Sequence, residues 1–177
     1  GNIARANLDY YAAYDHFERA VGYSPDNALY LNQAGILANI LAKYSQQLIW
    51  QEKALAIDVQ QQGEDSPEVA TLTNNLGATY DDLGQYEKAI EYYQQALASD
   101  LNTYGQEHPN VATMRNNLGM AYHALGQYDK AIAYFQQALA SDLNTYGQDH
   151  PSVARDRNNL GMAYQALGKY DKAIEYF

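Results

Sequence analysis

The four prolines of the chain, Pro25, Pro67, Pro109 and Pro151, stand 42 residues apart with no other proline between them. A fixed period of this size marks stacked copies of one supersecondary unit, each burying its apolar face on its neighbours, rather than one globular core. More than proline recurs. Asn74-Asn75-Leu76-Gly77 returns as Asn116-Asn117-Leu118-Gly119 and Asn158-Asn159-Leu160-Gly161, and Gly84-Gln85-Tyr86 returns as Gly126-Gln127-Tyr128 and Gly168-Lys169-Tyr170. A residue present in every copy is first a stacking residue, so no enzyme is expected.

Within one copy, residues 67–108, Pro67 suits the first turn of a helix, where its missing N–H costs nothing, and Glu68 sits near the positive end of the helix dipole. Val69, Leu72, Leu76, Tyr80 and Leu83 then share one helical face, and Gly84 suits a left-handed cap. A second helix carries Tyr86, Ala89, Ile90, Tyr93, Ala96, Leu97, Leu101 and Tyr104 on its inner stripe before Gly105. Each copy is therefore a helical hairpin. Gly77, Gly119 and Gly161 lie inside helices, where glycine costs about 1 kcal/mol against alanine. Close approach of the partner helix through Ala89 and Ala96 is the expected reason. Tyr80, Tyr86 and Tyr93 read as core residues with a polar tip.

Leu76-Gly77-x-x-Tyr80, Ala89-x-x-x-Tyr93 and Ala96 resemble the tetratricopeptide (TPR) pattern. The standard unit is about 34 residues. The eight extra residues here fall between Ala96 and Pro109, where Leu101 and Tyr104 continue the stripe and lengthen the second helix by about two turns. A TPR unit of this length, ending Gly-x-x-His-Pro and followed by Asn-Asn-Leu, resembles the repeats of the kinesin light chain family and related bacterial arrays. The resemblance implies an all-α, right-handed superhelix of antiparallel hairpins whose first helices line a concave groove.

The copies are expected as a partial standard-length repeat at 1–24, a divergent long repeat at 25–66, long repeats at 67–108 and 109–150, and a truncated repeat at 151–177. Helices are expected near 9–22, 26–41, 44–61, 67–83, 86–104, 109–125, 128–146 and 151–167, with a short helix at each end. Gly1 aligns with Gly77, halfway along a first helix. With no initiator Met and a start in mid-pattern, the chain reads as a fragment. In the divergent repeat Gln47 and Gln51 replace Ala89 and Tyr93. Either they find hydrogen-bond partners, or the helix rotates to turn Leu48, Ile49 or Trp50, and Leu55 inward; rotation is the favoured expectation.

Charge bounds the partner. A net charge of −10 repels phosphates and argues against nucleic acid. Cysteine is absent, which removes disulfides, thiolate zinc sites and a cysteine nucleophile. No apolar run approaches the roughly 18 residues of a membrane span, and no signal peptide opens the chain. A cytoplasmic location away from membranes is expected.

Helical angles place Asn74, Ala78, Thr71 and Asp81 away from the core direction of Leu76, with Asn75 and Asp82 on the flank. The matching residues are Thr113, Asn116, Asn117, Met120 and His123, then Arg155, Asn158, Asn159, Met162 and Gln165. An asparagine offers donors and an acceptor, so a row of them can grip a peptide backbone whatever its side chains. The family resemblance implies the same role for Asn74, Asn75, Asn116, Asn117, Asn158 and Asn159. One asparagine of each pair could instead bond to the neighbouring repeat, with Asn75 and its equivalents the more structural. Asn74, Asn116 and Asn158 are expected to be solvent-exposed. Arg115 and Arg157 are expected as surface stems near the core edge, and the family's preference for acidic peptides does not carry over.

His108 and His150 read as caps before proline, and His16 and His123 have no second ligand at a suitable offset. No metal site, cofactor or catalytic residue is expected. The expected function is a scaffold that holds a protein or peptide partner in the groove. The alternatives are a structural spacer or self-associating array joined through its uncapped ends, or a regulatory region of a larger protein.

Overall fold

The computed structural model describes residues 2–64 and 66–177, with side chains from Asp9 onward. The described residues form α1 (Asn2–Tyr23), α2 (Ala28–Ile40), α3 (Tyr44–Gln62), α4 (Pro67–Asp82), α5 (Tyr86–Tyr104), α6 (Pro109–Ala124), α7 (Tyr128–Tyr146), α8 (Pro151–Ala166) and α9 (Tyr170–Tyr176), and contain no strand. Each helix packs on the next in chain order, and first helices also touch across repeats, α4 with α6 and α6 with α8. This is an all-α solenoid.

The period-setting residues act at the helix ends. Pro67, Pro109 and Pro151 open α4, α6 and α8. Ahead of them Ser66 accepts a hydrogen bond from the Val69 N–H at 3.1 Å, and the Nδ1 atoms of His108 and His150 accept from the N–H groups of Asn110 and Ser152 at 3.2 Å. Both histidines also stack on the tyrosine that ends the preceding helix, Tyr104 at 4.2 Å and Tyr146 at 4.1 Å between ring centroids. The expected capping role is what the structure shows. Gly84, Gly126 and Gly168 turn the chain with φ near +70°, a conformation costly to any residue with a Cβ. Helices α5 and α7 run unbroken through Ser99 and Ser141, so the two-turn extension is helical.

A continuous core joins Leu76, Leu118 and Leu160, all fully buried, with Tyr80, Tyr93, Tyr122, Phe135 and Tyr164. A second cluster gathers Tyr14, Leu31, Trp50 and Leu72 at the start of the array. Tyr80 and Tyr93 are buried and Tyr86 is half-buried. Three expectations need correction. The helical glycines make room for aromatic rings rather than small alanines: a Cβ on Gly77 would lie 2.7 Å from Tyr93 Cδ1, and one on Gly119 would collide with the Phe135 ring. The start of the chain is a single helix, α1, instead of a short helix, a turn and a second helix. Leu8 stands where Gly84 closes a helix, and leucine does not take the left-handed cap.

The third correction concerns α3. Gln47 and Gln51 remain on the inner stripe, 3% and 2% exposed, while Ile49 is 57% exposed. The helix has not rotated, although Trp50 is also buried. Gln47 Nε2 donates to Thr79 Oγ1 at 2.5 Å, and that hydroxyl donates to Gln51 Oε1 at 2.7 Å. Thr79 replaces the alanine of later copies, Ala121 and Ala163. A polar plug thus takes the place of a ring against Gly35, whose absent Cβ would meet Gln51 Cγ at 2.9 Å.

Candidate functional site

The asparagine pairs form a hydrogen-bonded ladder along α2, α4, α6 and α8. Asn75 Nδ2 donates to Asn32 Oδ1 at 3.5 Å, Asn117 to Asn74 at 3.0 Å, and Asn159 to Asn116 at 3.1 Å. The second asparagine of each copy therefore bonds to the first asparagine of the copy before it. A primary amide has two N–H donors and two acceptor lone pairs, and each of these bonds engages one donor or one lone pair of an amide.

The expected exposure of Asn74, Asn116 and Asn158 holds only for Asn158. Asn74 is half-buried and Asn116 is buried, because both are roofed by the amide of the next copy. Asn75 and Asn117 are half-buried and Asn159 is buried. Beside the ladder runs a row at the same spacing: Ile36, Ala78, Met120 and Met162. Ile36 is 38% and Met120 42% exposed, and Met162 and Ala78 are half-buried. Ile36, Ile40, Asn39, Asn75 and Ala78 line a depression of about 180 Å³ between α2 and α4.

Charged groups are arranged differently from their sequence reading. Arg155 is exposed but turns back onto α8 and α7: its Nε and Nη2 donate to Asp156 Oδ1 at 3.2 Å, and Nη2 lies 3.5 Å from Asp142 Oδ2. Asp156 is fully buried and also accepts from Asn116 Nδ2. Burial pushes its carboxyl up to about 6, the negative charge of Asp142 adds to the rise, and the Arg155 guanidinium opposes it. Sequence reasoning missed this cluster. Its signal was an acid at the position held by the core residues Leu72 and Met114 in earlier copies.

Asp81 is half-buried, and its carboxyl is raised by desolvation and then by Asp82. Asp82 accepts from Asn39 Nδ2 at 2.9 Å, one more bridge between α2 and α4. His123 is half-buried, with its ring 5.2 Å from that of Tyr128 and its Nε2 buried with no partner among the described residues. Arg115 is not a surface stem: it is 8% exposed, and its Nη1 donates to the Gln106 carbonyl at 3.1 Å. Among the described residues no cluster of three His, Cys, Asp or Glu could hold a metal, and no helix is long and apolar enough to cross a membrane.

A stack of antiparallel hairpins whose first helices are tied through an amide ladder defines an α-solenoid of helical-hairpin repeats. The tetratricopeptide repeat profile matches residues 26–102, 100–144 and 110–177, and the chain belongs to that family, whose repeats generally serve protein–protein interaction. No curated protein matches the chain by sequence. Among solved structures it is similar to BtubC (BKLC) from P. vanneervenii, at 26% identity over 99% of this chain and 73% of that one, with a TM-score of 0.86. It is similar also to TPR-like repeats of Podosopora anserina assigned to a kinesin light chain, at 22% identity over 99% and 87% of the two chains, TM-score 0.84. MamA 41-end from Desulfovibrio magneticus RS-1 is 20% identical over 99% and 88%, TM-score 0.74. The last two likenesses speak for the fold alone. The repeats are kinesin light chain-like in length and architecture.

Proposed function

We propose that the chain is a protein-interaction scaffold that holds an extended segment of a partner protein in the concave groove formed by α2, α4, α6 and α8. The observation that carries this reading is the half-exposed apolar row Ile36, Ala78, Met120 and Met162 lying beside the amide ladder. Exposed apolar side chains aligned in a row, rather than scattered, mark a contact surface, and methionine adapts to partners of varied shape. The amides retain donors and lone pairs beyond those used in the ladder, so Asn74, Asn117 and Asn158 can still bond to a peptide backbone. Asn116 and Asn159 act mainly by setting the spacing of the copies, and Arg155 contributes through its pair with Asp156.

The test is selection of peptides from a random display library on the wild-type array, followed by affinity measurement on Met120→Asp and Asn158→Ala. Both positions are exposed, so helicity should be unchanged, and the selected peptides should lose about tenfold in affinity or more on Met120→Asp. Peptides that bind the variants as well as the wild type, or a library that yields no binder, would remove the groove reading.

A further inference from the structure

Where α3, α4 and α5 converge there is a cavity of about 450 Å³. Its walls include Leu55 and Val59 of α3 and Val69 and Thr73 of α4, with Gln95 of α5 and Glu64 at the rim. No residue of the amide ladder lines it, so it is separate from the groove. Its volume falls within the roughly 300–1,000 Å³ of ordinary ligand sites.

The repeat itself shows what fits there. One copy later, Leu97, Leu101 and Val111 stand where Leu55, Val59 and Val69 stand here, and Gln106 stands where Glu64 does. The residue equivalent to Thr73 is Arg115. Arg115 is buried, and its guanidinium reaches the Gln106 carbonyl at 3.1 Å. The same apolar walls therefore accommodate an aliphatic stem, and the same loop offers oxygen to a guanidinium. At the α3–α4–α5 junction the arginine is missing and threonine leaves its space open. The oxygen Arg115 uses is the backbone carbonyl of Gln106, which the loop also offers at Glu64, and Glu64 adds an exposed side-chain carboxylate, the planar acceptor a guanidinium matches in two parallel hydrogen bonds.

We infer that the cavity between α3, α4 and α5 is a receptor for an arginine side chain presented by a partner polypeptide. The stem lies on Leu55, Val59 and Val69, and the guanidinium meets Glu64 at the rim. The chain's net charge of −10 favours the approach of a cationic segment. Lysine fits less well, because an ammonium cannot make the paired contact and is more strongly hydrated.

The probe is N-acetyl-arginine amide, with N-acetyl-lysine amide as control, titrated against the whole chain while the amide and methyl resonances of Val59, Val69 and Thr73 are followed by NMR. The arginine probe should shift these resonances saturably in the millimolar range, and at least about threefold more tightly than the lysine probe. Thr73→Arg should fill the cavity from within, raise Tm by about 2–4 °C and abolish the response. Should that variant fail to fold, Glu64→Lys at the exposed rim should abolish the response without a change in helicity. No saturable shift, equal binding of the two probes, or full binding by Glu64→Lys would overturn the assignment. None of these results bears on the Met120→Asp test of the groove.

Discussion

Two junctions of this solenoid place polar side chains at positions that are apolar in other copies, and they do so by opposite means. Between α3 and α4, Gln47 and Gln51 are linked by a neutral chain through Thr79, with the three side chains buried, two hydrogen bonds at 2.5 and 2.7 Å, and Gln47 Oε1 alone without a partner among the described residues. Between α7 and α8, Asp156 brings a carboxyl to a fully buried position beside Asp142 and leaves Oδ2 without a partner among the described residues. Burying a neutral polar group costs little once it is bonded, whereas a charge keeps a desolvation penalty that one arginine only partly offsets. The first junction should behave as a permanent joint and the second as one whose strength depends on pH.

The largest expected effect is at the neutral joint. Thr79→Ala copies the residue of the later repeats but strands two buried amides, and should destabilise by about 2–3 kcal/mol in urea titrations. Restoring the whole regular set, Gln47→Ala with Gln51→Tyr and Thr79→Ala, should recover most of that loss. An additive result would mean that the three residues are not one unit.

The charged joint should respond in the other direction. Its folded-state carboxyl sits near 6 against an ordinary 3.8, so between these values the folded chain holds a proton that the unfolded chain has released. The stability this carboxyl contributes is therefore greatest below about pH 4 and falls as pH rises towards about 6. Asp156→Met, which copies Met114, should gain about 2 kcal/mol at pH 8 and little at pH 4. Denaturation at the two pH values checks this, and an equal gain at both would show that the carboxylate is not the source.

The smallest effect lies in the turn of the divergent repeat. Ala42 occupies the position of Gly84 with φ of +56°, the one non-glycine residue at positive φ among those described. Left-handed backbone costs an L-residue about 1 kcal/mol or more. Ala42→Gly should raise stability by about 0.5–1 kcal/mol, measured as a shift of the thermal midpoint, while Gly84→Ala should lower it. If neither moves, the turn is looser than its hydrogen bonds from the Lys43 and Ala42 N–H groups to Ala38 and Asn39 imply.

Helix positions, caps, turns and the extended second helix were legible in the sequence because each is decided within a few residues. Pro67 with Ser66, His108 with Pro109, and Gly84 at its turn act on backbone that is close by in the chain. The family followed from the same local grammar, since the Leu-Gly-x-x-Tyr and Ala-x-x-x-Tyr spacings describe one hairpin. Helical angle also placed Met120 and Asn158 outside the core correctly. It failed where the outcome depended on what the neighbouring copy brings. Asn116 points away from its own core yet is buried by Asn159 and Asp156. Arg155 faces outward yet folds back onto two carboxylates, and Arg115 is buried at the position that Thr73 holds one copy earlier. Gln47 and Gln51 stayed inward because Thr79, 32 and 28 residues away, bonds to the amides of both, although Gln47 Oε1 has no partner among the described residues. The sequence by itself determined a stack of long TPR hairpins, because periodic apolar stripes and terminators act locally. Only the tertiary structure decided which polar residues are surface and which are joints, because a donor's burial depends on a partner that stacking, not chain order, places beside it.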